Sequence, residues 1–533
     1  MIGSGTSSSR QIIPRWRSLA VTVQSRELAV TAVRESGDYN LSPELIERLR
    51  RWRQTQAVVT ASELVDAAIA TKFEGDAVGA ARFLLRESVP ATRLVRRNAA
   101  LLLTRTGHGN EVPAGVLDFP PAYAMQTWRR RVRLFPEDAL AWVEMALIQL
   151  VGGRPEAGKR SMLVALRLAP TNRHVIRSAA VHFSFLRERD RAYEVVRKNL
   201  ATPGDPWLMA AEIALAPSAG KKPHFLDRGA KMLDATMQPR QITELAGAVA
   251  TFMLLDGNRK RARKLFQQSM YDPTGNSLAQ AEWASPFFGG APLVGVERMR
   301  MVVDAREAMS LHLYRAGAFS EAMDFARQWI DEEPLSPRGY VAAAAAANAL
   351  CDYPAADRMA QKGLARDANS APLLVARVFA LASQGRLAEA ETIFKAIPED
   401  ADDGGKLFRF VLEANRGLLA FRRGDTTMGS AHYKKAIQGF RAGDDPGAHE
   451  LVAQAQAYYA REAVLAGIPE AKGVLAEAEK TNNASPLASV TRILTEARAS
   501  LSAIANAQAR MAMPPAPPPL PSGSLSLPAP GRR

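Results

Sequence analysis

The feature that most constrains this chain is a pattern that recurs every 34 residues. In the stretch "RAGAFSEAMDFARQWIDEEP", Gly317 is followed five residues later by Ala322, and Pro334 ends the stretch. Steps of 34 residues lead from Ala322 to Ala356 and then to Ala390. A fixed period of this length is the sequence signature of a repeat array, in which each unit contacts its neighbours along the chain.

Each recurring position of the unit has a simple physical role. The glycine ends one helix and lets the chain turn, and the proline stops the next helix. The small residue lies where two helices press together, and an aromatic residue at helical spacing packs between units. Apolar residues recur at spacings of three and four, whereas strand-like alternation is rare. The sequence therefore predicts an all-α fold of stacked helix-turn-helix units, because one helix pair cannot bury its own apolar face.

Further copies of the unit carry a recognisable set of residues. The stretch 141–170 has Trp142 at the first aromatic place, Gly158 and Ala165 at small places, and Pro170 at its end. These units resemble tetratricopeptide repeats. The resemblance implies a right-handed α-solenoid whose first helices line a concave groove and whose second helices form the convex wall. It is best over 120–204, 240–273 and 303–441.

Two segments interrupt the period and set the expected domain boundaries. The segment 278–299 contains Phe287, Phe288 and Leu293, which we expect to cover a core edge, with contact to a partner as the alternative. The tail 513–533 is rich in proline, and we expect disorder there, with a docking peptide as the alternative. The expected division is a basic N-terminal helical segment 1–59, basic repeats 60–274, a divergent insertion 275–300, further repeats 301–441, C-terminal helices 442–510 and a disordered tail 511–533.

The positive charge is concentrated in the first 300 residues. This part has 43 Lys and Arg against 28 Asp and Glu, whereas the other 233 residues have 26 of each, so the net charge of +15 comes from the first part. Two clusters, "WRRRVR" at 128–133 and "NRKRARK" at 258–264, fall on second helices and are expected to face water. The asymmetry keeps nucleic-acid binding through the N-terminal 300 residues open as the alternative function.

No group of residues indicates catalysis or a bound cofactor. In "GGRPEAGKR", Gly153 and the pair Gly158-Lys159 approach a phosphate-loop motif, but Arg160 stands where Ser or Thr should bind magnesium. The segment also follows a helix and not a strand. The seven histidines form no metal pair with Cys351 or with each other at a useful spacing. We therefore expect that the protein is not an enzyme and has no catalytic, cofactor-binding or metal-binding residues.

The composition also bears on location. The N-terminal stretch has no apolar core after its basic residues, so we expect no signal peptide. The sequence also contains no run of 18 apolar residues, the length needed to span a membrane. A single cysteine excludes a disulfide framework and fits a reducing compartment. Arginine is used far more than lysine, as in GC-rich bacterial genomes. The expectation is a bacterial, cytoplasmic protein without membrane contact.

The resemblance places a partner-binding groove on the first helices. Counting back from the turn glycines gives the candidate partner-binding residues Arg177, Asp304, Glu307, Arg315, Arg338, Asn348, Phe379 and Arg422. Family members that clamp a chaperone C-terminus use a Lys and an Asn four residues apart on a first helix. The corresponding pairs here lack these residues, so we do not expect that ligand. The main expectation is a scaffold that binds a partner protein or peptide of unknown identity.

Overall fold

The computed structural model describes residues 43–71, 74–91, 93–113, 116, 121–234, 238–288, 292–302, 305–397, 407–443 and 448–512. Within these ranges the regular structure is helical and includes no β-strand, which confirms the expected all-α fold. Three of the sequence expectations fall on residues outside these ranges: Asp304, the tail 513–533, and most of the N-terminal segment 1–59.

The first part of the chain forms helices that pack on one another in sequence order. They are α1 (Pro43–Thr55), α2 (Val58–Thr71), α3 (Val78–Leu85), α4 (Arg93–Arg105), α5 (Pro121–Leu134), α6 (Ala139–Val151), α7 (Pro155–Leu168), α8 (Arg173–Phe185), α9 (Arg189–Arg197), α10 (Pro206–Leu215), α11 (Leu226–Leu233), α12 (Pro239–Leu255) and α13 (Arg259–Ser269). The tightest pairs are α6 with α7 and α12 with α13. We call α5–α13 the first array.

The second part continues the same arrangement after a short interruption. Its helices are α14 (Gly275–Ala284), α15 (Val296–Arg300), α16 (Arg306–Ala316), α17 (Phe319–Glu332), α18 (Pro337–Ala349), α19 (Tyr353–Leu364), α20 (Ala371–Ser383), α21 (Leu387–Lys395), α22 (Phe408–Arg422), α23 (Thr426–Arg441), α24 (Ala448–Leu465), α25 (Ala471–Ala484) and α26 (Ala488–Ala512). First helices alternate with second helices from α16 to α23, and we call these eight helices the second array.

Glycines in the left-handed backbone region close the hairpins. Gly317 has φ of 83° at the end of α16, and Gly385 and Gly424 have φ of 78° and 88° at the ends of α20 and α22. The N–H of Gly317 donates to the carbonyl oxygen of Tyr314, 3.1 Å away. Residues with a Cβ rarely adopt this conformation, so the turn favours glycine, as the 34-residue pattern predicts.

The small residues of the pattern lie at the helix crossings. Ala322, Ala356 and Ala390 are fully buried. The hydroxyl of Ser310 on α16 donates to the carbonyl oxygen of Ala322 on α17 at 3.0 Å, a contact that only closely approaching helices can make. These alanines therefore build the scaffold, as the recurrence indicates.

The interruption between the arrays is a core element. Every residue of α14 is buried, and a short 3₁₀ turn at Ser285–Phe288 follows it. Phe287 is buried in the apolar cluster that includes Phe266 and Trp283, and Phe288 and Leu293 pack against that cluster. This confirms the expectation that the segment covers a core edge.

The C-terminal helix α26 packs against α16, the first helix at the start of the second array. It contacts α16, α24 and α25. A Cβ at Gly317 would come within 2.9 Å of the Cβ of Ala488, so the turn glycine also makes room for the start of α26. Farther along, the Sγ of Cys351 lies 3.5 Å from Oε1 of Glu496. The C-terminal helices therefore lie against the face that the sequence assigns to a groove.

The two arrays also touch each other. A guanidinium nitrogen of Arg366, in the turn after α19, donates to the carbonyl oxygen of Val151 at the end of α6, 2.8 Å away. The neighbouring Asp367 pairs with Arg187 at 2.6 Å. Leu335 belongs to the same apolar cluster as residues of α6 and α8. The turns of the second array thus rest on the ends of first helices in the first array.

Candidate functional site

The sequence-predicted groove residues lie on first helices and fall into two separate groups. Arg177 lies on α8 in the first array. The others lie in the second array: Glu307 and Arg315 on α16, Arg338 and Asn348 on α18, Phe379 on α20 and Arg422 on α22. Asp304 is outside the described residues. No single site gathers all of them, and their role in partner binding stays a prediction.

Glu307 and Arg338 form an ion pair between neighbouring first helices. The carboxylate of Glu307 is fully buried, whereas the arginine is partly exposed. The guanidinium of Arg338 also lies over the ring of Trp329, 5.3 Å from its centroid. The pair therefore ties α16 to α18, and Arg338 is the half of it that solvent or a partner can reach.

Arg315 is directed toward the buried helix α14. It donates to the side-chain oxygen Oε1 of Glu282 at 2.9 Å and to the carbonyl oxygen of the same residue at 2.6 Å. His312, one turn earlier, hydrogen-bonds to the same carboxylate, and that bond raises the pKa of His312. The carboxylate of Glu282 is thus held by the guanidinium of Arg315 and the imidazole of His312, both on α16.

Phe379 and Arg422 are covered by the chain's own helix α24. The ring of Phe379 is buried and lies 5.0 Å from the ring of Tyr458, centroid to centroid. The guanidinium of Arg461 lies 5.5 Å from the centroid of the Phe379 ring. Arg422 donates to Glu462 at 3.0 Å. In this structure these two predicted groove residues therefore face α24 of the same chain.

A small polar cleft remains between α18, α24 and α26. Its walls include Asn348, Cys351, Gln454, Ser489 and Glu496. Asn348 is buried, and neither its amide nitrogen nor its amide oxygen has a hydrogen-bond partner among the described residues. Its open space is about that of one or two water molecules. The cleft is too small for a larger guest while α26 is in place.

The first array presents a different surface, centred on an aromatic ring. Trp207 at the start of α10 is half-buried, and three guanidinium groups from α8 and α12 lie over its ring. The distances from the guanidinium carbons to the ring centroid are 5.5 Å for Arg173, 5.0 Å for Arg177 and 5.9 Å for Arg240. We call these four residues with Glu244 the Trp207 cluster.

Acidic side chains fix the three arginines in place. The pairs are Arg173 Nε with Asp205 Oδ2 at 2.7 Å, Arg177 Nη2 with Glu244 Oε2 at 3.5 Å, and Arg240 Nη1 with Asp272 Oδ1 at 3.5 Å. Glu244 also accepts hydrogen bonds from the amide of Asn276 at 2.6 Å and from the hydroxyl of Thr274. The guanidinium groups are therefore pre-positioned, which lowers the entropic cost of using them in binding.

His174 lies beside this cluster without adding to its charge. Burial, and to a lesser extent the nearby cation of Arg177, lowers the pKa of His174 to about 4. At neutral pH the histidine is neutral, so the charge of the cluster comes from its arginines and carboxylates.

Sequence reasoning identified Arg177 but missed Trp207 and Arg240. A signal was present, since Arg173 and Trp207 are 34 residues apart and occupy the same place in successive units. Arg240 lies 33 residues after Trp207, close to the same period, but the convergence of the three guanidinium groups on one ring depends on how the helices pack, which the period does not specify.

The two basic clusters lie on outward-facing helices, as the sequence predicts. Arg129, Arg130 and Arg133 of "WRRRVR" are exposed on α5. The five cations of α13 are exposed as well: Arg259, Lys260, Arg261, Arg263 and Lys264. The expectation that these charges face water is confirmed.

The described residues lack two features that mark other kinds of site. The described ranges contain no group of three His, Cys, Asp or Glu side chains that could hold a metal ion. Across the same residues, no helix is both long enough and apolar enough to cross a membrane. What the described structure offers instead is a set of helix faces with aromatic, guanidinium and carboxylate groups.

These features define an α-solenoid of divergent tetratricopeptide-like hairpins. No protein-family model matches the sequence, and a search of curated proteins finds none that matches it. Among solved structures, yeast Tom70 matches with 11% identity over 85% of this chain and 96% of its own, at a TM-score of 0.30. The APC/C hetero-tetramer Cut9-Hcn1 matches with 13% identity over 88% and 99%, also at 0.30. At this TM-score neither superposition adds weight to the assignment, which rests on the hairpins described above.

Proposed function

We propose that the protein is a non-enzymatic scaffold that binds an acidic segment of a partner protein at the Trp207 cluster. The observation that carries this proposal is the half-buried ring of Trp207 with three pre-positioned guanidinium groups over it. Tryptophan and arginine are the residues most enriched among the anchors of protein interfaces. The bacterial, cytoplasmic setting expected from composition stays a prediction.

The chemistry of the cluster favours a carboxylate-bearing ligand. A guanidinium group has five N–H donors, and a carboxylate engages two of them in a bidentate pair. An arginine that already pairs with one carboxylate can therefore accept a second. The ring of Trp207 supplies apolar area for the stem of the incoming side chain. The excess of positive charge in residues 1–300 would draw an acidic segment toward this array.

The predicted groove residues of the second array are less accessible to a partner than the Trp207 cluster. Arg338 is the exposed half of the Glu307 pair, whereas Phe379 and Arg422 are covered by α24. Binding at Phe379 would require α24 and α26 to move away. We therefore place the primary contact on the first array, where no such movement is needed.

The test compares variants of the full-length protein in affinity purification, followed by titration of the recovered partner. Trp207→Ala and Arg177→Glu should each weaken binding by about tenfold or more, the loss typical of an interface anchor. Arg167→Glu is the matched control, since Arg167 is exposed on the second helix α7 and carries the same charge. Circular dichroism would confirm that all variants are folded.

Equal binding of the partner by the wild type, Trp207→Ala and Arg177→Glu would contradict the proposed surface. A loss that is equally large for Arg167→Glu would show a general charge effect with no specific site. Recovery of a partner whose binding segment is not acidic would contradict the proposed ligand class.

A further inference from the structure

The outward face of α13 differs from the arginines of the Trp207 cluster. Its sequence, "RKRARKLFQQS", contains five cations and no acidic residue. All five are exposed, and none of them pairs with a carboxylate of the described residues. The arginines of the Trp207 cluster, by contrast, are each fixed by an acid. Positive charge on α13 is thus left for a ligand outside the chain.

Packing fixes the direction in which these charges point. Ala262, Leu265, Phe266 and Ser269 are the buried residues of α13, and this side lies against α12. The cations at 259–261, 263 and 264 therefore occupy the opposite side. The cations occupy the first six residues of the helix, about 9 Å at 1.5 Å per residue, so they form a patch that can meet about two neighbouring phosphates.

An exposed aromatic residue follows the C-terminal end of the same helix. Tyr271, two residues after α13, is 68% exposed. Arg298 on α15 donates to the carbonyl oxygen of Tyr271 at 3.0 Å, which brings one exposed cation beside the tyrosine, whereas the neighbouring Arg300 is paired with Glu297 at 2.8 Å. An exposed ring among cations is the arrangement that proteins use to stack an unpaired base.

We propose that α13 and Tyr271 form a binding surface for single-stranded nucleic acid. A folded protein partner would need an apolar anchor at the centre of the patch. The exposed side chains of α13 are instead cations and glutamine, which suit a phosphate backbone. A single strand is favoured over a duplex because the ring of Tyr271 can stack only on a base that is not paired. This surface adjoins the Trp207 cluster, since Asp272, which follows Tyr271, pairs with Arg240. The proposal does not depend on the scaffold function.

The experiment measures fluorescence anisotropy of a labelled oligothymidine of about 20 nucleotides with the full chain, at about 50 and 200 mM salt, the range over which phosphate contacts weaken strongly. Arg259→Glu combined with Arg263→Glu should weaken binding at least tenfold. The slope of log K against log salt should also become shallower by about 1.4, since two phosphate contacts are lost and each contributes about 0.7 to the slope for a single strand. Tyr271→Ala should weaken binding several-fold with an unchanged salt slope, because stacking releases no counterions.

The matched control is Arg358→Glu with Lys362→Glu, which reverses two exposed cations on α19 in the second array. This variant should bind like the wild type. The proposal is overturned if the wild type shows no binding at about 50 mM salt, or if the α13 and α19 variants lose equal affinity. It is also overturned if a duplex of the same length binds more tightly than the single strand, or if polyglutamate binds at α13 and the oligonucleotide does not.

Discussion

At the scale of single residues, two turns within the arrays have a residue other than glycine at positive φ. The hairpins use glycines at positive φ, but Cys351 has φ of 58° and Arg187 has φ of 60°. A side chain in this region costs roughly 1 kcal/mol or more. Both residues use that side chain for a long-range contact, Cys351 with Glu496 and Arg187 with Asp367. Backbone strain therefore coincides with the places where distant parts of the chain meet.

Cys351→Gly should stabilise the hairpin of α18 and α19 by about 0.5 to 1 kcal/mol, because glycine adopts the left-handed region without strain. The thiol contact to Glu496 that is lost is long and therefore weak. Urea denaturation followed by hydrogen exchange of α18 and α19 would measure the change. Cys351→Ala is the control, since alanine keeps the strain, and a similar gain in that variant would contradict this explanation.

The buried His182 should make the first array sensitive to acid. Its pKa is lowered to about 4, first by burial, against an ordinary value of 6.5. Between these two values the unfolded chain binds more protons than the folded one, so stability falls as the pH drops from about 6.5 to 4. For this one group the loss between pH 7 and pH 5 should be up to about 2 kcal/mol.

His182→Gln should flatten this part of the stability profile, measured as urea midpoints at pH 5 and pH 7. The change in stability at pH 7 alone does not test the role of protonation, because the new side chain also changes the packing of the site. His224→Gln, at an exposed position, should leave the profile unchanged. An equally steep acid loss in the His182→Gln variant would show that other groups are responsible.

At the scale of helix pairs, close approach depends on glycines inside helices. Gly417 on α22 faces the ring of Tyr433 on α23, and an added Cβ would lie 2.7 Å from that ring and 3.1 Å from the carbonyl oxygen of Gly429. Tyr433 is almost fully buried and cannot move aside. The distance between α22 and α23 is therefore set by the absence of a side chain at 417.

Gly417→Ala should destabilise the second array by about 1 to 3 kcal/mol, because the overpacking outweighs the better helix propensity of alanine. Gly473→Ala provides a control inside α25, where a Cβ would meet nothing within 4 Å. There the same substitution should stabilise by up to about 1 kcal/mol. Thermal unfolding of both variants gives the comparison, and equal shifts in the two would refute the packing argument.

The helices and their crossings could be predicted from the sequence because they depend on local rules. Gly317 and Ala322 mark a turn and a crossing wherever the 34-residue step repeats, and both behave as expected. The cover on Phe379 could not be predicted, since its contact with Tyr458 joins residues far apart in sequence. Such a contact depends on the accumulated curvature of several units, and no single unit encodes it.

At the scale of the whole molecule, the two arrays are joined in two places. One is the continuous apolar core around α14, which includes Phe266 of the first array and Met309 of the second. The other is a polar junction, where the Arg187–Asp367 pair and the bond from Arg366 to Val151 involve exposed side chains and Leu335 adds an apolar contact. The polar junction is the weaker of the two, because surface ion pairs contribute little on their own.

Asp367→Arg should loosen this junction, since it sets three arginines against one another. The radius of gyration from small-angle X-ray scattering should rise, and hydrogen-exchange protection near Val151 should fall. Combining Arg187→Asp with Asp367→Arg restores opposite charges and should reverse much of the change. If the single variant keeps the wild-type scattering curve, the ion pair is not needed to hold the arrays together.

The contacts that cover Phe379 and Arg422 form late during synthesis of the chain. The helices α16 to α22, which carry Glu307, Arg338, Phe379 and Arg422, leave the ribosome before α24 and α26 do. Until the last helices arrive, the contacts that α24 makes with Phe379 and that α26 makes beside Asn348 are not formed. A chaperone or an assembly partner that recognises this face would therefore meet the nascent chain more readily than the finished protein.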